Sequence, residues 1–185
     1  MSGKFAVGEY WDGNRDTLNW WVNSAMAGRA SAFDFSLRDE LKAMTDGNGF
    51  YDMRRLDHAG LTGINPARSV TWVENHDTDV HNPITQNKHL AYAYILTSEG
   101  YPAVFWKDYY NYGMKSVIDN LVWIHEKIAE GSTQERWKDA DVLVYERLGG
   151  NHLLVGLNDN QVSDFTVTVQ TGFGANVQLH DYTGH

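Results

Sequence analysis

The sequence predicts an α/β chain: four strand–helix units in succession, then a small antiparallel β domain. Three observations carry this. Short apolar runs such as Phe5–Val7 and Val70–Val73 end abruptly in polar tips. Segments of helical spacing separate such runs. From about Asp139 the pattern changes to β-branched, alternating stretches broken by turn residues. An apolar run ending in His76-Asp77 is what a parallel strand looks like where its carboxyl end opens into a site.

Each element has a local reason. The first strand lies in Lys4–Trp11. Asn14 or Asp16 is placed to cap a helix carrying Leu18, Trp21, Val22, Ala25 and Met26 on one face, ended by Gly28. A short strand over Ala32–Leu37 contains Asp34, and a helix covers Leu37–Met44. Asp46–Gly49 is turn chemistry, and Met53–Leu56 is a short helical piece. The loop Gly60–Arg68 leads into the strand of Ser69–Asp79, stopped by Asn82-Pro83. A helix over His89–Thr97 precedes the last strand of this type, Tyr101–Trp106, whose end presents Asp108. The spacing of Val117, Leu121, Ile124 and Ile128 predicts a helix over Ser116–Glu130, with Ser116 as N-cap and Gly131 beyond its end. Strands are then expected at Val142–Arg147, Leu153–Leu157, Phe165–Val169 and Val177–His180, with turns at Gly149-Gly150 and Asn158–Asn160. The domains are read as residues 1–138 and 139–185.

Composition narrows the function. A net charge of −9 and a pI near 5.2 disfavour nucleic acid and anionic membranes as partners. No stretch approaches the roughly 20 apolar residues of a membrane span, and Met-Ser-Gly-Lys has no apolar signal core. Without cysteine there are neither disulfides nor thiolate metal sites.

The strand tips carry the chemistry. Glu9 stands beside Tyr10 and Trp11, and flat apolar rings next to carboxylates suit the C–H face and hydroxyls of a sugar. Desolvation by these rings would raise the pKa of Glu9, the condition for a general acid near neutral pH. The competing reading is a buried glutamate paired with an arginine. Trp106, Tyr109 and Tyr110 also fall at a strand end, where a sugar platform is as good a reading as core. Asp79 and His81 read as solvated loop residues. His125-Glu126 lacks the second histidine of a zinc-protease helix, and Gly172-Phe173-Gly174 lacks the third glycine of a nucleotide fingerprint.

FAVGEYW and VTWVENHDT resemble two signature strands of the α-amylase family of glycoside hydrolases. SAFDFSLRDEL, YDMRRL and GYPAVFWKDYY follow in the family's order. The resemblance implies strands five to eight of a (β/α)8 TIM barrel, a half-barrel, followed by the start of the family's C-terminal β domain, here truncated. It implies that Glu9 is the general acid/base, Asp77 the transition-state-stabilising aspartate, and His76 a binder of sugar hydroxyls, with Tyr10, Trp11 and Trp106 as further substrate contacts. A complete barrel takes about 250 residues, and this chain has 185. The family's nucleophilic aspartate precedes the strand of Glu9, where only eight residues stand. The family's calcium site draws on regions not present, so no metal or other cofactor is expected.

The implied substrate is an α-1,4-glucan such as starch, cleaved with retention, and the implied location is extracellular. The alternative is a catalytically incomplete half-barrel that only binds carbohydrate or serves a structural role. A half-barrel leaves two open strand edges, and a homodimer about a two-fold axis would close them. The partner's Asp108 would then be the best-placed substitute nucleophile, against the reading of Asp108 as a solvated loop carboxylate.

Overall fold

The computed structural model describes residues 4–183. Four parallel strands pair in sequence order: β1 (Val7–Gly8), β2 (Ser31–Phe33), β3 (Ser69–Trp72) and β4 (Tyr101–Ala103). The registers Val7 to Ser31, Ala32 to Ser69 and Val70 to Tyr101 fix the sheet. β1 and β4 are each paired on one side only. Their flanks nevertheless meet, because the rings of Phe5 and Tyr101 lie 5.3 Å apart. In a flat sheet three strand spacings of about 4.8 Å would separate them, so the sheet is curled toward these rings.

Helices fill the connections. α1 (Arg15–Trp20) runs on as a π-turn, Trp21–Ala25, and its first amides are capped by Asn14 Oδ1, which accepts from Asp16 and Thr17. α2 (Phe35–Asp46) starts directly at Asp34, so the strand expected over Ala32–Leu37 stops at Phe33. The reason is Asp34 itself. Its buried carboxylate accepts from the Leu37 amide and Ser36 hydroxyl of α2, and from Leu61 N, Thr62 N, Thr62 Oγ1 and Ser69 Oγ. One side chain thus ties β2, α2, the following loop and β3 together. Gly60 closes this knot at φ +67°, where a Cβ would stand 2.5 Å from Leu37 Cβ and under 3 Å from both Asp34 oxygens.

α3 (Thr78–His81), α4 (Lys88–Thr97), α5 (Trp106–Tyr110) and α6 (Lys115–Lys127) complete the strand–helix region. Trp106 therefore opens a helix instead of ending a strand. α6 begins one residue before Ser116, with Met114 at the cap position. Leu37, Leu41 and Met44 of α2 meet Tyr92, Ile95 and Leu96 of α4 and Ile118, Leu121 and Ile124 of α6 in one apolar core.

A second sheet is antiparallel: β5 (Thr133–Lys138), β6 (Val142–Arg147) and β7 (Leu153–Asn158). β5 was not expected, and it places the start of this sheet at Thr133, so a division at Asp139 would part β5 from its ladder with β6. The stretch TQERWK hides its pairing because it is a charged edge strand with a bulge between Glu135 and Trp137. Conversely, Phe165–Val169 and Val177–His180 form no strands, and Asn158–Asn160 turns into no hairpin. Their alternation is compatible with a strand, but their side chains are largely exposed.

This second sheet shares the core of the first. Leu143, Tyr145 and Leu157 belong to the same cluster as the helices. The Tyr145 ring meets Tyr94 edge-on at 6.1 Å, and its hydroxyl pairs with Thr97 Oγ1 at 2.6 Å. Arg147 donates to Thr97 O, Ser98 O and Gly131 O at 2.6–2.7 Å, satisfying carbonyls at the end of α4.

Candidate active site

Parallel pairing sends β1 and β3 the same way, so Glu9 and the segment Glu74–Asp77 lie beyond the carboxyl ends of their strands on one rim. The two arrive there differently. Glu9 is exposed and forms no side-chain hydrogen bond among the described residues. The rings beside it turn aside: Tyr10 stacks on Trp21 at 5.5 Å, and Trp11 on Phe35 at 4.7 Å. The rings that the sequence offers as a cover for Glu9 are thus engaged elsewhere, and Glu9 stays exposed. Among the described residues no arginine pairs with Glu9 either. Trp11 keeps one face on Phe35 while 60% of its surface is exposed, which leaves the other face open to a flat ligand.

At the end of β3, Asn75 Oδ1 accepts from the amides of Asp77 and Thr78 and so starts α3. His76 is exposed, and its Nε2 lies 3.6 Å from Asp77 Oδ1. The side chain of Asp77 is 45% exposed. Both groups thus face solvent on a backbone pinned from below.

The pin is Glu74, a residue the sequence reading passed over. It is buried, and it pairs with Arg38 Nη2 at 3.1 Å and Lys88 Nζ at 3.3 Å. It also accepts from the Ile84 amide at 2.9 Å and from the Thr78 hydroxyl. Arg38 donates onward to Val73 O and Asn82 O. A carboxylate at the end of a wholly buried strand needs a cation. Arg38, lying among the apolar positions of α2, was the available signal.

Asp108 belongs to the same network. It is fully buried, not a solvated loop residue. Its Oδ1 accepts from Lys88 Nζ at 2.8 Å and its Oδ2 from Tyr92 OH at 2.6 Å. Both oxygens of Asp108 are thus engaged within this chain. Burial, reinforced by Asp108, keeps the Tyr92 hydroxyl far above its usual range, so it stays a donor.

Asp79 is likewise no solvated loop residue. It accepts from Lys107 at 2.8 Å and from Tyr112 OH at 3.0 Å. Lys107, then Tyr112, hold its carboxyl below the ordinary range against burial. His81 is exposed, as expected. Trp106 is 55% exposed on α5, one residue before Lys107. Among the described residues no group of three or more His, Asp or Glu is placed to hold a metal ion. Among the described residues no helix is long and apolar enough to cross a membrane.

No family model matches the chain. It is 34% identical over 157 residues to an α-amylase of Geobacillus stearothermophilus, covering 78% of this chain and 28% of that one. It is 31% identical over 160 residues to an α-amylase of Bacillus licheniformis, covering 78% and 31%. The glucan 1,4-α-maltohexaosidase of Bacillus sp. strain 707 is 30% identical over 157 residues, with 78% and 30% covered. The chain thus spans under a third of the length of these relatives. Among solved structures, the γ-cyclodextrin glucanotransferase (γ-CGTase) of alkalophilic Bacillus clarkii superposes with a TM-score of 0.71 at 24% identity, over 91% of this chain and 29% of that one.

Proposed function

Because the chain belongs to the α-amylase family of glycoside hydrolases, we propose that it acts on α-1,4-glucans such as starch through the rim of Glu9, Trp11, His76 and Asp77. The carrying observation is that an open aromatic face, two carboxylates and an imidazole stand at the carboxyl ends of one parallel sheet. In this reading Glu9 protonates the glycosidic oxygen. Asp77 stabilises the oxocarbenium-like charge, and His76 donates to sugar hydroxyls. Tyr10, Trp11 and Trp106 supply apolar contact.

Retention needs a second carboxylate about 5–5.5 Å from the acid/base, and neither Asp77 in its assigned role nor the engaged Asp108 offers it. This observation favours a second reading, in which the chain is a catalytically incomplete half-barrel that binds glucan without cleaving it. The unpaired outer edges of β1 and β4 are what a homodimer would use to pair β4 of one copy with β1 of the other into an eight-stranded barrel, and such closure has to part the Phe5 and Tyr101 rings that meet within one chain. The location consistent with starch as substrate is extracellular.

Reducing-sugar release from soluble starch, with Glu9→Gln as control and solution mass measured alongside, tests these readings. Release lost in Glu9→Gln supports the enzyme. Glucan binding without release supports the incomplete half-barrel, and neither binding nor release overturns both. A monomer by light scattering removes the homodimer.

A further inference from the structure

Lys88 sits where local rules disfavour it. It opens α4, where the helix dipole repels a cation, and it follows Asn87 in the left-handed region at φ +44°. Such conflicts persist only where the surroundings impose them. Here the surroundings are two buried carboxylates. Lys88 Nζ reaches Asp108 at 2.8 Å and Glu74 at 3.3 Å, and lies 5.6 Å from the centre of the Tyr112 ring. It is the one group among the described residues that pairs with both carboxylates.

Those carboxylates belong to different pieces of the rim. Glu74 holds the turn of Asn75–Thr78 through Thr78, and Arg38 anchors Glu74 to α2. Asp108 lies in α5, two residues after Trp106. Between α3 and α5 a cleft of about 420 Å³ is lined by Asp79, Ile84, Lys88, Asp108 and Tyr112. A second tie crosses nearby, from Lys107 and Tyr112 of the α5 side to Asp79 of α3.

Resting on the glucan reading above, we infer that Lys88 is a positioning residue: it fixes α3 against α5 so that His76, Asp77 and Trp106 present one rim to one glucan chain. It touches no sugar. Its role is to hold two sugar-facing segments at a set spacing, which matters because displacement of about 1 Å costs binding and rate steeply.

The test combines maltoheptaose affinity with backbone amide hydrogen exchange, both well below the unfolding midpoint. Lys88→Met is expected to weaken maltoheptaose by about tenfold or more, and to raise exchange in residues 75–82 and 106–112 together. Lys88→Arg, which keeps the charge, is expected to restore affinity to within about threefold. Leu143→Ala, a core truncation in the second sheet, lowers the unfolding temperature without changing affinity, which separates positioning from general destabilisation. Should Lys88→Met fail to fold, Asp108→Asn breaks the same tie while keeping the side-chain shape, and both segments are expected to loosen in it too. Unchanged affinity with unchanged exchange, or loosening of one segment alone, overturns the inference. If the wild-type chain binds no maltoheptaose, the glucan reading fails, and the exchange result alone decides whether Lys88 couples the two segments.

Discussion

The end of β3 and the end of β1 carry the two carboxylates of the rim, yet they are built on opposite terms. Beneath His76 and Asp77 lies a buried network of Arg38, Glu74, Lys88, Asp108 and Tyr92, in which each charge has an opposite partner. Beneath Glu9 there is a two-residue strand on an open sheet edge, with no side-chain partner among the described residues. The β3 end is pre-organised by the chain itself. The β1 end has unpaired backbone on one side, and its order depends on what lies against that edge. A buried ion network costs desolvation and returns geometry, so its placement marks where this fold holds shape most tightly.

Breaking the braced side should show the largest effect. Glu74→Ala leaves Arg38 and Lys88 without their shared acceptor, and the expected loss is about 3–5 kcal/mol in urea unfolding. A loss below about 1 kcal/mol, the scale of an exposed pair, would mean that the network is wet and the contrast between the two ends is overdrawn.

A smaller effect is expected from Asp159, which follows β7. Burial pushes its carboxyl up to about 6, and its Oδ1 has no hydrogen-bond partner. An acid whose folded pKa is raised favours folding while protonated. Its contribution is therefore present below the ordinary carboxyl range near pH 4 and is lost as pH rises through about 6. Asp159→Asn should stabilise the chain at pH 7 by about 1 kcal/mol and flatten the stability profile between pH 4 and 6. An unaltered profile would show that water reaches this carboxylate.

The smallest stability effect belongs to the open side. Glu9→Gln should shift unfolding by less than about 0.5 kcal/mol, as an exposed residue without partners does, while removing any starch hydrolysis. A large destabilisation would show that Glu9 is held by contacts that the free chain lacks.

Much of this architecture was legible in the sequence. Helical spacing located the α1 and α6 segments, and the apolar runs into Glu9 and Asp77 located the two tips. What escaped was set by pairing over distance. TQERWK is a strand because Val142–Arg147 lies beside it, and DFTVTVQ is none because no strand pairs with it among the described residues. Asp34 looks like a strand residue until the donors at Leu61, Thr62 and Ser69 converge on it. Asp108 and Asp79 read as solvated because polarity alone does not reveal Lys88, Tyr92 or Lys107. Tyr10 and Trp11 sit next to Glu9 in sequence, but their rings stack on Trp21 and Phe35, and adjacency says nothing of that choice.

The account stands on the rim being a glucan site, and calorimetric titration of maltoheptaose into the wild-type chain and into His76→Ala tests it most directly. The account predicts saturable binding by the wild type, weakened about tenfold in the variant by the loss of one charge-assisted or neutral hydrogen bond and its contact surface. Absence of binding by the folded wild-type chain, or binding that His76→Ala leaves unchanged, would contradict it.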